Sequence, residues 1–125
     1  MKFQATIDVE LTDDDFETII DMAGYGIDGW SRWAEHDDEK HTYTVHFWED
    51  PDVESPMKSV TLSYRQIGEA LVKLASNPGR YNVGTGSVLG EYLLGWLRSQ
   101  DAADIDSDVA DAVIQVAIFN TVQYS

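Results

Sequence analysis

The spacing of apolar residues changes along the chain, and this change constrains the fold more than any other feature. Over 2–11 and 41–49 apolar and polar residues alternate, which is the period of a half-buried strand. After residue 63 the apolar residues recur three or four positions apart, as in an amphipathic helix. We therefore predict an α+β fold, an antiparallel sheet of about four strands with about four helices packed on it. The 125 residues fit a single globular domain spanning 1–125.

Turn and cap signals divide this pattern into elements. The predicted strands are 2–11, 30–36, 41–49 and 59–62, and the predicted helices begin at Thr12, Ser63, about Ser87, and Asp106 or Ser107. Gly24 is expected to end the first helix, and Asn77-Pro78-Gly79 the second. The last helix is apolar almost all round, so we expect it inside the fold or in an interface between subunits of a homo-oligomer.

The charge balance excludes several classes of function. Eight basic residues against 23 acidic ones give a net charge of −15, without the basic face that binding to nucleic acid or an anionic membrane requires. The absence of cysteine excludes disulfides and thiolate metal sites. Three explanations of the acidity stay open: a generic solubility surface, adaptation to high salt, and mimicry of nucleic-acid phosphates toward a basic protein groove.

Two acidic segments and three tryptophans are the candidate partner-binding residues. The acids lie in the predicted hairpin turn and in the loop that follows the next strand: Asp37, Asp38, Glu39, Glu49, Asp50, Asp52 and Glu54. Tryptophans are frequent anchors at protein interfaces, although most are buried in a small domain. Trp30 and Trp33 would point to opposite faces of a regular strand, and Trp48 falls on the polar face of its own strand. At least one of them is therefore a candidate anchor.

The patterns that would indicate metal, cofactor or enzyme chemistry are incomplete. His36 and His41 could share a metal across the hairpin, but an exposed turn accounts equally for the acids between them. The acidic loop at 49–54 could hold calcium, yet it lacks the EF-hand pattern. Gly84–Ser87 could receive an anion at a helix start, with Arg80 nearby, but no Walker lysine follows. No Gly-x-Ser-x-Gly elbow occurs. We predict a non-enzymatic protein without metal or cofactor.

Several segments together resemble uncharacterised small acidic proteins encoded by bacteriophages. These are the helix that leads into a glycine-rich loop with Gly29-Trp30, the Thr/Tyr/Val-rich strand, and the segment from Asp108 to Phe119. In the phage proteins the chain runs on to a Val-Tyr-Gly tail, whereas this chain ends in Thr121-Val122-Gln123-Tyr124-Ser125. The resemblance supplies no activity. It implies a phage or prophage accessory protein in the cytoplasm of a host cell.

Charge and resemblance together predict the function. We expect an accessory protein that acts by protein–protein binding, with an inhibitor of a host defence complex as the most specific form. Its partner would be a basic, nucleic-acid-binding host protein, with no direct contact to nucleic acid or membrane. The alternatives are a small-molecule or nucleotide-binding protein, with a pocket around Gly84–Ser87 and Arg80 or Arg65, and a structural, oligomeric accessory protein.

Overall fold

The computed structural model describes residues 1–3, 9–50, 52–84, 86–99 and 105–124, and it is a mixed helix and strand fold. Two 3₁₀ turns, Ile27–Gly29 and Pro78–Tyr81, connect longer elements. The strands and helices in chain order are β1 (Lys2–Phe3), β2 (Val9–Glu10), α1 (Asp13–Gly26), β3 (Trp33–Asp37), β4 (Thr42–Trp48), β5 (Met57–Ser63), α2 (Tyr64–Ser76), α3 (Val88–Ser99) and α4 (Ser107–Phe119).

The described strands form two antiparallel sheets, so the prediction of one sheet of about four strands is wrong. β1 pairs with β2, and Phe3 lies opposite Val9. The chain has therefore reversed between these residues, and the predicted single strand over 2–11 is also wrong; its middle, 4–8, lies outside the described residues. The second sheet has the order β3-β4-β5. Alternation identifies the buried face of a strand, but it does not tell where a chain folds back or which strands pair.

The three-stranded sheet follows the predicted alternation closely. Tyr43, Val45 and Phe47 of β4 are buried, and the residues between them face outward. β3 begins at Trp33 rather than at residue 30, because the Trp30 N–H donates to the Ile27 carbonyl oxygen at 3.1 Å and closes the preceding 3₁₀ turn. β5 is longer than predicted, since its pairing with β4 extends to both ends of that strand.

The helix starts are confirmed, whereas the predicted end of α1 is wrong. Thr12 caps α1 in a capping box with Asp15, and Ser63 caps α2 in another with Gln66. α1 continues past Gly24 to Gly26, since a glycine ends a helix only where the backbone turns to positive φ, and no described glycine does so. A Cβ at Gly26 would collide with the Ser107 backbone, so this glycine lets α1 approach α4 closely.

α4 lies at the centre of the helical layer, packed against α1 and α2. Asp106 caps it, and Val113 and Val116 are buried, which confirms the expectation of an internal helix. At the C-terminal end of α4, Ala117, Ile118 and Phe119 are packed against the core but only half-buried, and homo-oligomerisation stays a prediction. Among the described residues, no helix is long and apolar enough to cross a membrane.

Candidate binding site: an acidic cleft

An open cleft of about 860 Å³ lies between the loop after β4 and the first half of α4. Five carboxylates line it, three from the loop and two from the helix: Glu49, Asp50, Asp52, Asp108 and Asp111. Among the described lining residues none is lysine, arginine or histidine. One lining carboxylate has a partner outside the cleft lining: Lys58 Nζ lies 3.8 Å from Glu49 Oε1, and both side chains are exposed. The cleft is therefore strongly negative.

Trp30 and Tyr124 form the aromatic wall of this cleft. Their rings stack at a centroid distance of 5.7 Å, and Trp30 also contacts Phe47 and Phe119 edge to face. Only 5% of Trp30 is exposed. Its indole therefore serves mainly to fix the wall, and Tyr124, half-buried, offers more of its ring to the cleft.

Asp111 connects the cleft to the core. Its Oδ1 accepts hydrogen bonds from Trp30 Nε1 at 2.7 Å and from Gln115 Nε2 at 3.0 Å. Burial raises the pKa of the Asp111 carboxyl, the two hydrogen bonds oppose this rise, and the charge of Asp108 adds to it. A negative charge is thus held at the base of the cleft by two donors in a fixed position.

Gln115 is fully buried and holds the C-terminal segment against this base. Its Oε1 accepts from the backbone N–H groups of Gln123 and Tyr124, both at 2.8 Å. Its Nε2 donates to the Tyr124 carbonyl oxygen at 2.9 Å as well as to Asp111. All hydrogen-bonding positions of this amide are used. Gln115 therefore positions Tyr124 relative to Asp111.

The structure separates the acidic candidates from the sequence into two groups. Glu49, Asp50 and Asp52 line the cleft, whereas Glu54, in the same loop, does not. The hairpin-turn acids Asp37, Asp38 and Glu39 are also absent from it. Two of these turn acids act on Tyr64 instead. Burial raises the pKa of the Tyr64 hydroxyl most, and the charges of Glu17, Asp13, Asp38 and Asp37 raise it further, in that order. The hairpin turn and the start of α1 thus form a second acidic region.

Trp33 and Trp48 lie on the outer face of the three-stranded sheet, away from the cleft. Trp33 is 48% exposed and stacks on His46 at 4.2 Å. Its Nε1 donates to Glu35 at 3.1 Å. The Arg32 guanidinium lies 4.2 Å above the Trp48 ring in a cation–π contact. The anchor role of these two tryptophans stays a prediction, and it would concern a surface different from the acidic cleft.

His36 and His41 both contact Tyr64 rather than facing each other at a metal site. His36 Nε2 lies 2.7 Å from the Tyr64 hydroxyl, and the His41 ring stacks on the Tyr64 ring at 4.6 Å. His41 Nε2 is also 3.5 Å from Asp13. In the described part of the chain no group of three histidine or acidic side chains is arranged to hold a metal ion.

Sequence reasoning missed Asp108, Asp111, Gln115 and Tyr124 as parts of a site. One signal was present: Asp108 and Asp111 are three residues apart, a spacing that places both on one face of a helix. That face becomes part of a cleft only because α4 docks beside the loop after β4.

Comparisons with protein-family models, with curated proteins and with solved structures found no match for this chain.

Proposed function

We propose that this protein is a non-enzymatic binding protein whose acidic cleft contacts a basic segment of a protein partner. One observation carries the proposal: five carboxylates from two distant segments converge on one cleft, and no cation lies among its described lining residues. Solvated charges interact over about 8–10 Å at physiological salt, so carboxylates grouped in this way act together, whereas scattered ones act singly. A lysine- or arginine-rich segment is the complementary ligand.

The resemblance to small phage proteins gives this proposal a biological setting. In that setting the partner is a basic, nucleic-acid-binding protein of a host defence complex, met in the host cytoplasm. A basic segment held in the cleft would no longer be free to contact nucleic-acid phosphates, so binding to this protein would compete with nucleic acid. The net charge of −15 supports this form of the proposal, because it favours rapid encounter with a basic surface.

The alternative of a nucleotide-binding protein is less favoured by the geometry. A groove of about 590 Å³ does open beside Gly84 and Ser87, where this alternative places its pocket. Its described lining, however, contains three aspartates and neither Arg80 nor Arg65. A phosphate bound there would face like charges, which raises the cost of binding.

The proposal is tested by two variants that remove the same number of charges from different surfaces. In the cleft variant Asp50, Asp52 and Asp108 become asparagine, which keeps an acceptor for the hydrogen bond from the Asp52 N–H to Asp50 Oδ1. In the control variant Asp37 and Asp38 become asparagine and Glu39 becomes glutamine. The asparagine at position 37 keeps the Oδ1 that accepts from the N–H groups of residues 39 and 40. Both variants raise the net charge by three.

The readout is the affinity of each protein for a short oligolysine peptide, measured by calorimetry. We expect the cleft variant to bind about tenfold more weakly than the wild type and the control variant to lose about threefold at most. Equal losses in the two variants would mean that the whole acidic surface acts as a diffuse charge, and the cleft would then not be the binding site.

A further inference from the structure

A groove next to the acidic cleft has an apolar wall. It lies between the loop before α3, the first turns of α3 and α4, and the C-terminal segment. Its apolar lining consists mainly of Val83, Val88, Leu89, Tyr92, Val109 and Val122. Val83 and Val109 are buried, Leu89, Tyr92 and Val122 are half-buried, and Val88 is 90% exposed. Apolar surface in a concave site is a common feature of ligand and partner recognition.

The polar part of this groove is negative. Asp106, Asp108 and Asp111 line it, and its described lining includes no lysine, arginine or histidine. The first turns of α3 and α4 contribute partial positive charge, but side chains take up N–H groups there: Ser87 accepts from Gly90, and Asp106 accepts from Val109. The charges of the three carboxylates outweigh the partial positive charge that remains at these helix starts. The groove suits a ligand that is apolar on one side and cationic on the other.

The groove adjoins the acidic cleft. Asp108, Asp111 and Tyr124 line both, so a ligand that extends along these three residues contacts the two sites together. The cleft alone, at about 860 Å³, is already near the upper end of the range of about 300–1,000 Å³ that takes a small molecule. The groove adds about 590 Å³ beside it. Together they offer room for a chain segment.

We infer that the segment bound by this protein is amphipathic, with apolar side chains in the groove and lysine or arginine side chains at Asp108, Asp111 and the cleft. This inference rests on the proposed function and adds to it the chemistry of the partner. An amphipathic helix docking its apolar face into a groove is a recurrent mode of peptide recognition. The acidic rim supplies charge complementarity, which fixes orientation and excludes acidic segments.

Three synthetic peptides of equal length and equal positive charge separate charge from apolar contact. The first carries leucines at helical spacing among lysines, the second has the same composition with the leucines distributed around the helix, and the third has serine in place of leucine. We expect the first to bind the wild type at least tenfold more tightly than the third, because burial of leucine side chains adds to the charge interaction. The second should lie between them.

Two variants locate the apolar contact. The groove variant changes Val88 to serine and Leu89 to alanine, and Val88→Ser alone serves if the double variant is unstable, since this side chain makes little contact with the core. The control variant, Met57→Ser, removes an exposed apolar side chain, 45% exposed, from the three-stranded sheet. The preference for the first peptide should fall severalfold in the groove variant and stay unchanged in the control.

The outcomes distinguish this inference from the proposed function. If the three peptides bind the wild type equally, the amphipathic partner is wrong and charge-based binding stands. If none of them binds, the proposed function itself fails. A preference that survives in the groove variant would place the apolar contact elsewhere and overturn the inference. Hexylamine is added as a competitor, and if it binds the groove as tightly as the first peptide, the site takes a small organic cation instead.

Discussion

The indole nitrogen of Trp30 donates a hydrogen bond of 2.7 Å to Oδ1 of Asp111, although the two residues are 81 positions apart in the sequence. This bond joins the turn after α1 to α4 at the base of the acidic cleft. The bond gives the buried Trp30 N–H an acceptor, and it holds the Asp111 carboxylate in one orientation in the cleft. Stability and the negative charge of the cleft are therefore linked at Asp111.

Asp111→Ala should destabilise the protein by about 1–3 kcal/mol, because the buried Trp30 N–H loses its acceptor. Asp111→Asn keeps an Oδ1 for both donors, so it should retain the stability of the wild type. Urea unfolding followed by tryptophan fluorescence measures both. Equal destabilisation by alanine and asparagine would show that the acceptor is not the stabilising feature.

The difference in stability between the wild type and Asp111→Asn should depend on pH. The pKa of Asp111 is raised in the folded state, chiefly by burial. The stabilisation linked to its protonation is thus complete below the unfolded pKa of about 3.9 and is lost as the pH rises through the raised value. Relative to wild type, Asp111→Asn should be more stable at pH 7 than at pH 3. A constant difference between the two proteins over this range would contradict the pKa shift.

Gln115→Leu should release the C-terminal segment. Leucine fills a similar volume but leaves the N–H groups of Gln123 and Tyr124 without their acceptor, at a cost of about 2 kcal/mol or more. Hydrogen exchange of these two amides should speed up at least tenfold, because a loss of this much free energy changes the equilibrium of local opening by more than a factor of ten. Gln123→Ala, which changes an exposed side chain, is the control and should leave both amides protected. Unchanged exchange in Gln115→Leu would refute the role of this amide.

Val113→Asp should cost about 3 kcal/mol or more, or prevent folding, because it places an unpaired charge in the fully buried side of α4. Val88→Asp makes the same chemical change at a position that is 90% exposed, where the new carboxylate stays in water. Thermal unfolding should separate the two by many degrees. Similar melting temperatures would mean that α4 is not internal.

Alkaline pH should destabilise the protein through Tyr43. Burial raises the pKa of its phenol from 10.0 to about 12, so the stability linked to the protonated form is present below pH 10 and lost as the pH approaches 12. Tyr43→Phe should weaken this loss, since it removes one ionisation. Tyr25→Phe, at a position 77% exposed, should not change it. An identical alkaline decline in wild type and Tyr43→Phe would contradict the burial of this phenol.

Local chemistry explains what could be predicted from the sequence. The capping pairs Thr12 with Asp15 and Ser63 with Gln66 lie three residues apart and determine helix starts without help from the rest of the fold. The alternation in β4 likewise identifies its buried face. The division into two sheets was not predictable in this way, because the alternation of apolar residues does not show where the chain reverses or which strands pair.

The candidate site was predictable only in part, for the same reason. The loop acids Glu49, Asp50 and Asp52 form a dense run that is visible in the sequence. Asp111, by contrast, occurs in an apolar helix, and its place in the cleft depends on the close approach that Gly26 allows between α1 and α4. Tertiary packing, and not composition, brings the two sets of carboxylates together.

The central claim is that the acidic cleft binds a basic segment through grouped charges. The most direct test is the affinity of the wild type for oligolysine between about 50 and 500 mM salt, compared with that of the cleft variant. We predict that the affinity of the wild type falls steeply with salt and that the cleft variant has a clearly smaller slope. A flat salt dependence, or the same slope in both proteins, would contradict the account.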